Sequence, residues 1–320
     1  MHLIGLIGQE NHMNAVFVYL AAYAGLLCCI AVIACKVRSY LQKPVHVRWE
    51  LYPVAHEAER ASYGGSYLED ADWWKRKQTP SFIAGMKGLL IELLFLHMTM
   101  ETNPKLWYRT YPFHAGLYMM IGAFFFTLIA AAATVMGVEA GVTLTALGNI
   151  VQVLTAVGFL GIIGGGIGLL HRRLTQPDLR RYSTREHFVN LWAFIVFGAL
   201  GLLAWLANPS FFALCRDFTA NLMTFSFKPI DSGIFALFAF FGSVLAAYVP
   251  ATHMGHFFMK YFLYHDIRWG DQPTQDNPAT QKKIGVVLGY PVSWKAPHIA
   301  GDGKKSWAEV ATTNPTTPKE

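Results

Sequence analysis

Two histidines lie near matching ends of two separate apolar segments of the sequence. His114 lies a few residues inside an apolar run that begins at Tyr111, and His256 lies shortly before the basic residues where another run closes. If the two segments form antiparallel neighbouring helices, both imidazoles fall at nearly the same depth in a bilayer and face each other. Ionisable side chains at such depth are costly and are therefore functional candidates. A histidine pair that bridges the helices of an apolar bundle is the arrangement that holds the iron of a b-type haem from both sides.

The composition is that of a protein that lies largely in lipid. Of the 320 residues, 53% are hydrophobic and only 14% are charged, which is too apolar for an ordinary soluble domain. A helix needs roughly 20 apolar residues to cross about 30 Å of hydrocarbon. The sequence therefore predicts an all-α polytopic membrane protein, a five-transmembrane-helix bundle with spans at about 14–35, 111–136, 142–170, 188–207 and 232–259. The net charge of +6 is typical of basic loops in such a protein and does not indicate nucleic-acid binding.

Lysine and arginine are distributed unequally between the two sides of the predicted bundle. Basic residues follow the first span, continue up to the second, and fill the connection between the third and fourth spans. The loops on the other side carry only Arg216 and Lys228. The positive-inside rule then predicts that the N-terminus is outside and that the basic loops and the C-terminus are cytoplasmic.

Two regions are not predicted to span the membrane. Residues 80–98 are apolar but carry Lys87 and Glu92, so we expect an interfacial helix on the cytoplasmic face. Residues 1–265 would form the membrane domain, and residues 266–320 an extended cytoplasmic tail. The aromatic side chains of this polar tail suggest that it docks onto a partner protein, and the alternative is that it anchors on the protein's own loops or on lipid headgroups.

Glycines near the two histidines favour the approach of a flat cofactor. Gly116 and Gly255 lack a Cβ atom and would let a macrocycle come close to the helix backbone. His253 precedes His256 by three residues, on roughly the same helical face, so at most one of the two is an iron ligand from this helix. Periodicity favours His256 only slightly. The other histidine would bind a haem propionate or a quinone, or would be an ordinary hydrogen-bonded histidine.

Polar groups that handle protons are scarce within the predicted spans. Asn149 and Gln152, one turn apart in the third span, are the intramembrane candidates for contact with a quinone. Hydrogen bonding between helices is the competing role for both. The four cysteines show no CxxC or CxxCH spacing, which argues against a protein-bound iron–sulfur cluster, a zinc site or a covalently attached haem in this chain.

Three stretches of the chain resemble the nitrate reductase gamma-subunit family of five-helix cytochromes b, in particular its branch of sulfate-reducer membrane complexes and heterodisulfide-reductase-like menaquinol enzymes. The segment Phe113-His114-Ala115-Gly116 is similar to the ligand motif of the family's second helix. Residues 165–177 are similar to the exit of its third helix, and residues 250–256 to the end of its fifth helix. In the family, the ligand of the fifth helix comes six residues after a proline, which favours His256 over His253.

The resemblance implies a cofactor content that differs from that of the two-haem members. Those members carry a second histidine pair at positions that are Phe124 and Phe238 here. We therefore expect one haem b, on the cytoplasmic side, held by His114 and His256. The family's quinone site lies near the position of Asn149.

The resemblance also implies a function and a set of partners. The chain would pass electrons between a membrane quinone, menaquinone by the family, and a cytoplasmic iron–sulfur subunit related to heterodisulfide reductase. Further membrane and cytochrome c subunits are possible members of the complex. The alternative function is a haem-free membrane anchor subunit of a multisubunit complex, and the haem content separates the two.

Overall fold

The computed structural model describes residues 2–42, 60, 62–63, 69–72, 75, 81–138, 141–260, 278–294, 299 and 301–314, with only the backbone for residues 2–14, 257, 260 and 280. Within these ranges the chain is helical, and an isolated antiparallel β-bridge joins Pro291 to Ser306. The predicted all-α fold is therefore confirmed. The predicted boundary at 265 lies outside the described ranges.

Five helices of the described residues are long and apolar enough to cross a membrane. They are α1 (His2–Gln42), α4 (Pro104–Val135), α5 (Val142–Thr175), α7 (Arg185–Ala207) and α9 (Gly233–Tyr248). Shorter helices connect or follow them, namely α2 (Phe82–Phe95), α3 (His97–Thr102), α6 (Pro177–Tyr182), α8 (Phe211–Met223), α10 (His256–Lys260), α11 (Pro278–Leu288) and α12 (Trp307–Thr312). The polytopic membrane bundle is confirmed, and the first four spanning helices extend beyond the predicted spans at one or both ends.

The chain divides into two compact units. The first contains Met1–Ala34 and Ile91–Gly255, and the second contains Cys35–Leu90 and His256–Glu320. The first unit holds most of the transmembrane bundle. The second unit holds the end of α1, most of α2, and helices α10, α11 and α12.

Helices α4 and α5 of the first unit are antiparallel and nearly touch through their backbones. A Cβ atom added at Gly116 would lie 2.6 Å from the carbonyl oxygen of Gly158, and one at Gly161 would lie 2.8 Å from that of Pro112. One at Gly165 would lie 2.7 Å from the Cα of Phe113. The residue numbers of the contacts increase along α5 as they decrease along α4, which is the register of an antiparallel pair. Small residues at such crossings are typical of helix association in membranes.

Helix α7 extends the same arrangement on the other side of α5. A Cβ atom at Gly198 would lie 2.9 Å from Ile163, and Gly166 faces Ile195 at a similar distance of 2.8 Å. Phe113 of α4, Ile162 of α5, Phe194 of α7 and Leu245 of α9 form one buried cluster. Four of the spanning helices therefore share a core on the side of the bundle where the basic ends lie.

Helix α1 is tied to α8 by tyrosine hydroxyl groups. Tyr19 is 1% exposed and accepts a hydrogen bond from the Asn221 side chain at 3.1 Å. The Tyr23 hydroxyl donates to the Leu222 carbonyl oxygen at 2.6 Å. The sequence reading placed this region in a loop, and that was wrong: residues 211–223 form an amphipathic helix whose aromatic side packs on the bundle.

The two other predicted helix boundaries also need correction. The interfacial helix predicted at 80–98 is two helices, because Leu96 adopts a left-handed backbone with φ of 51° between α2 and α3. The fifth span was expected to continue to residue 259, but α9 ends at Tyr248. Pro250 follows, and a proline supplies no backbone N–H and clashes with the carbonyl four residues before it. Two single 3₁₀ turns, Val249–Ala251 and His253–Gly255, then lead to α10.

The close packing of α4 on α5 predicts opposite results for two adjacent glycines. Gly165→Ala places a methyl group against the Phe113 backbone, whereas Gly164→Ala places one where no atom lies within 4 Å. We expect Gly165→Ala to lower the free energy of unfolding in detergent by about 1–3 kcal/mol, as overpacking does. Gly164→Ala should leave the thermal midpoint unchanged or slightly raised, since alanine favours helix. Equal losses in both variants would contradict the described register.

Candidate functional site

His114 lies on the second spanning helix, within its first three turns. Asn103 caps α4 by accepting the N–H of Leu106 at 3.1 Å, and Pro104 follows as the first helical residue. At 1.5 Å per residue, His114 is about 15 Å along the helix from Pro104. Its ring is half-buried and lies edge-on to Phe113, with ring centroids 5.6 Å apart.

A hydrogen bond to the helix backbone fixes the protonation of this imidazole. Nδ1 of His114 lies 2.8 Å from the carbonyl oxygen of Thr110, one turn earlier. Because a carbonyl oxygen can only accept, Nδ1 carries the proton, and Nε2 is the basic nitrogen of the neutral ring. The Thr110 hydroxyl group is 3.2 Å from the same Nδ1 and shares the contact. Histidines that bind metals through one nitrogen commonly donate the other N–H to a carbonyl oxygen.

Gly116 lies beside His114 but faces another direction. Its Cβ position is filled by the backbone of α5, at Gly158 and Ile162. In the structure this glycine therefore permits the α4–α5 crossing, and that side of it is closed to a macrocycle. The absence of a Cβ atom at Gly116 is explained by helix packing alone.

The end of helix α2 is hydrogen-bonded to α4 on both sides of His114 along the helix. The last carbonyl groups of a helix have no partner within it. The Tyr118 hydroxyl group donates to the carbonyl of Leu93 at 2.5 Å, and the indole N–H of Trp107 donates to that of Phe95 at 2.8 Å. The ring of Tyr118 lies 6.3 Å from that of His114. The candidate ligand is thus flanked by two aromatic donors that fix the α2–α3 turn.

His253 contacts helix α7. Its Nδ1 lies 3.0 Å from a carboxylate oxygen of Glu186 and 3.3 Å from the side-chain nitrogen of Asn190. The ring of His187 is 4.8 Å away. This geometry favours the hydrogen-bonded role among those open for His253, because a haem propionate beside Glu186 would meet a like charge.

His256 and Gly255 lie at the junction that follows α9. Gly255 is buried and closes the second 3₁₀ turn, and His256 is exposed and opens α10. The expectation that His253 and His256 share one face of a continuous helix was wrong, since the two lie in different elements. His114 belongs to the first unit and His256 to the second, and their pairing on one iron stays a prediction.

The two candidate quinone contacts do not converge on one site. Asn149 is exposed on the outer surface of α5, where it lines a shallow recess of about 350 Å³ together with Ile150, Val153 and Leu154. The Gln152 side chain donates to the carbonyl oxygen of Pro209 at 3.2 Å. Gln152 therefore links α5 to the α7–α8 turn, which is the structural role that competed with quinone binding.

The two phenylalanines that replace the family's second ligand pair differ in their surroundings. Phe124 is 56% exposed. Phe238 packs among Phe159, Phe197 and Phe211, with ring centroids 5.2–6.0 Å apart. Aromatic side chains thus fill the described bundle around Phe238.

Sequence reasoning selected His114 and His253 as candidates but missed the side chains that bond to the end of α2 beside His114 and to His253. Tyr118, Trp107 and Glu186 act on residues 12 to 67 positions away in the chain. Tyrosine, tryptophan and glutamate near helix ends have many uses, so no local pattern indicated these contacts.

Comparison of the chain with models of known protein families, with curated proteins and with solved structures gave no match. The candidate site therefore rests on the residues and geometry of this chain.

The hydrogen bond between Tyr118 and Leu93 predicts that removal of the Tyr118 hydroxyl group destabilises the α2–α3 turn, whereas the same change at a neighbouring tyrosine does not. Tyr118→Phe leaves the partly buried Leu93 carbonyl without its donor, and the loss of one hydrogen bond costs about 1 kcal/mol. Hydrogen–deuterium exchange of residues 91–102 should accelerate in this variant. Tyr108→Phe is the control, because Tyr108 is 72% exposed on the same helix. The same acceleration in the control would show that the Tyr118 contact does not hold the turn.

Proposed function

We propose that this chain is the membrane cytochrome b subunit of a respiratory redox complex. It passes electrons between the quinone pool, menaquinone by family resemblance, and a cytoplasmic iron–sulfur subunit related to heterodisulfide reductase. His114 and His256 are the axial ligands of a single haem b. Further membrane and cytochrome c subunits would complete the complex.

The bond between His114 Nδ1 and the Thr110 carbonyl carries this proposal. It holds the imidazole of an apolar spanning helix in the tautomer whose Nε2 is free of a proton, which is the form that ligates iron. An ionisable side chain is expensive at this depth, which makes His114 a functional candidate.

The protein groups supply orientation and environment around the cofactor. A bound haem b would supply one-electron transfer at its iron. The Thr110 carbonyl orients the His114 ring. Phe113 at 3% exposure and the cluster that it joins exclude water from the same side of the bundle.

The aromatic packing around Phe238 supports a single haem. The ring of Phe159, which is fully buried, lies 5.6 Å from that of Phe238. Interiors are close-packed, and a second macrocycle would have to displace these rings. The phenylalanines at 124 and 238, where the two-haem members carry histidines, support the same proposal of one haem on the side of His114.

The orientation of the chain follows from its basic residues. Arg109, Arg172, Arg173 and Arg185 lie at the same end of α4, α5 and α7. The positive-inside rule makes this the cytoplasmic end, with the N-terminus outside. The proposed haem then lies in the cytoplasmic half, on the side of the iron–sulfur partner.

A haem titration with ligand variants tests the proposal. We expect the reduced-minus-oxidised spectrum of the purified chain to show one low-spin haem b per polypeptide. His114→Ala and His256→Ala should each abolish that low-spin signal, because each removes an axial ligand. His171→Ala is the control, since His171 is exposed at the end of α5 and should leave the spectrum unchanged.

Other haem contents would contradict the proposal in different ways. Two haems per chain would show that another histidine ligates, with His253 and His97 the next to replace. If the purified chain binds no haem even when haem is added, the alternative function remains, which is a membrane anchor subunit.

The quinone is expected at the recess beside Asn149. An amide exposed to lipid is costly and can donate to a quinone carbonyl, whereas Gln152 is engaged with Pro209. Asn149→Leu should raise the KM for a menaquinol analogue several-fold without loss of haem. Gln152→Leu should instead reduce thermal stability, by about 1 kcal/mol for one hydrogen bond. An unchanged KM in Asn149→Leu would exclude this recess as the quinone site.

A further inference from the structure

The described residues 278–294, 299 and 301–314, here called the tail module, form a small folded element of the second unit. The N–H of Val292 donates to the carbonyl of Lys305 at 2.8 Å, and the N–H of Trp307 donates to that of Tyr290 at 3.1 Å. Val292 is 1% exposed and Val310 9% exposed. A segment that the sequence predicted to be extended therefore has a core of its own.

The acidic residues of the tail module are used within it. Asp302 accepts the backbone N–H groups of Lys304 and Lys305 at 2.9 and 2.8 Å. Glu309 accepts the N–H and hydroxyl groups of Ser306 at 2.7 and 2.8 Å, in a helix capping box. These hydrogen bonds hold the pKa values of both carboxyl groups below their usual range, so both stay ionised at neutral pH.

The basic and aromatic residues of the tail module face outward. Lys282, Lys283 and Lys304 are exposed, and Lys305 is partly exposed. Tyr290, Trp294 and Trp307 are 46%, 49% and 40% exposed, although the valines near them are buried. The two indole rings lie edge to face, with centroids 6.3 Å apart. The folded module thus presents tryptophan, tyrosine and lysine to its surroundings.

We propose that the tail module docks onto the anionic lipid surface of the membrane that holds the five helices. Tryptophan and tyrosine favour the level of the lipid headgroups, and lysines are attracted to anionic lipid. Asp302 and Glu309 stay ionised, but the four lysines of the module outnumber them. A membrane surface matches this combination of charge and aromatic groups without requiring a pocket.

The position of the tail module in the chain brings it close to that surface. Only residues 261–277 separate α10 from α11, a connection of 17 residues. Such a connection spans at most about 60 Å when fully extended. Tethering at this length gives the module a high effective concentration at the bilayer, so that weak individual contacts suffice.

Hydrogen–deuterium exchange on the full chain in nanodiscs tests this docking. One disc contains only phosphatidylcholine, and in the other about a third of the lipid is phosphatidylglycerol. Peptides that contain Trp294 and Trp307 should exchange more slowly in the anionic disc. The difference should disappear in 1 M salt, where the Debye length is about 3 Å. Neutralising all four lysines (K282Q, K283Q, K304Q and K305Q) should also remove the difference. Each lysine is expected to contribute about fivefold to the binding constant for the anionic surface.

Two controls keep the test decisive. The Val292 amide, which is bonded inside the module, should stay protected in every disc and variant and so report that the module remains folded. Trp294→Ala with Trp307→Ala should weaken protection in the anionic disc while the lysines are intact. Equal exchange in both discs, or protection that appears only when a co-purifying polypeptide is present, would overturn the proposal. None of these outcomes depends on haem.

Discussion

Hydrocarbon offers no hydrogen-bond partner to a protein, so a polar group within a span is costly unless it finds a partner in the chain. Side chains that could have pointed to lipid therefore turn back to the helix: the Thr155 hydroxyl donates to Val151 and the Ser243 hydroxyl to Ala239. The same constraint explains why aromatic donors of α4 bind the carbonyl groups at the end of α2. It also explains the contact of His114, whose Nδ1–H donates to the carbonyl oxygen of Thr110 one turn earlier. This bond leaves Nε2 as the ring nitrogen without a proton.

Close contact between helix backbones is the second requirement of this bundle. Lipid competes with every apolar side chain, so helices gain from association mainly where they pack more tightly than lipid can. The glycines of α5 provide such contact with α4 on one side and with α7 on the other. Because Phe113 and Gly116 are committed to that contact, His114 between them is directed away from α5. The orientation of the candidate ligand is thus a consequence of helix packing.

The sequence predicted the parts of the fold that depend on composition. Five apolar runs gave five spanning helices, since hydrophobic length alone decides whether a helix can cross a bilayer. The amphipathic α8 was missed, because its aromatic residues are interspersed with polar ones and it is too short to span. The break at Leu96 was missed for another reason: a left-handed residue in an apolar run leaves no mark in composition. The contacts of Tyr118, Trp107 and Glu186 depend on tertiary structure, which local patterns do not encode.

The break after α9 shows how one residue changes an argument about a site. Helical periodicity placed His253 and His256 on one face. That inference required the fifth helix to continue without a break past Pro250 to both histidines. A proline at this position ends the helix at Tyr248, and the chain continues in 3₁₀ turns whose hydrogen bonds are weaker. The orientation of His253 is then set by Glu186 and Asn190 of α7, across 67 and 63 residues of sequence. Contacts between helices, and not spacing along one helix, therefore determine the surroundings of His253.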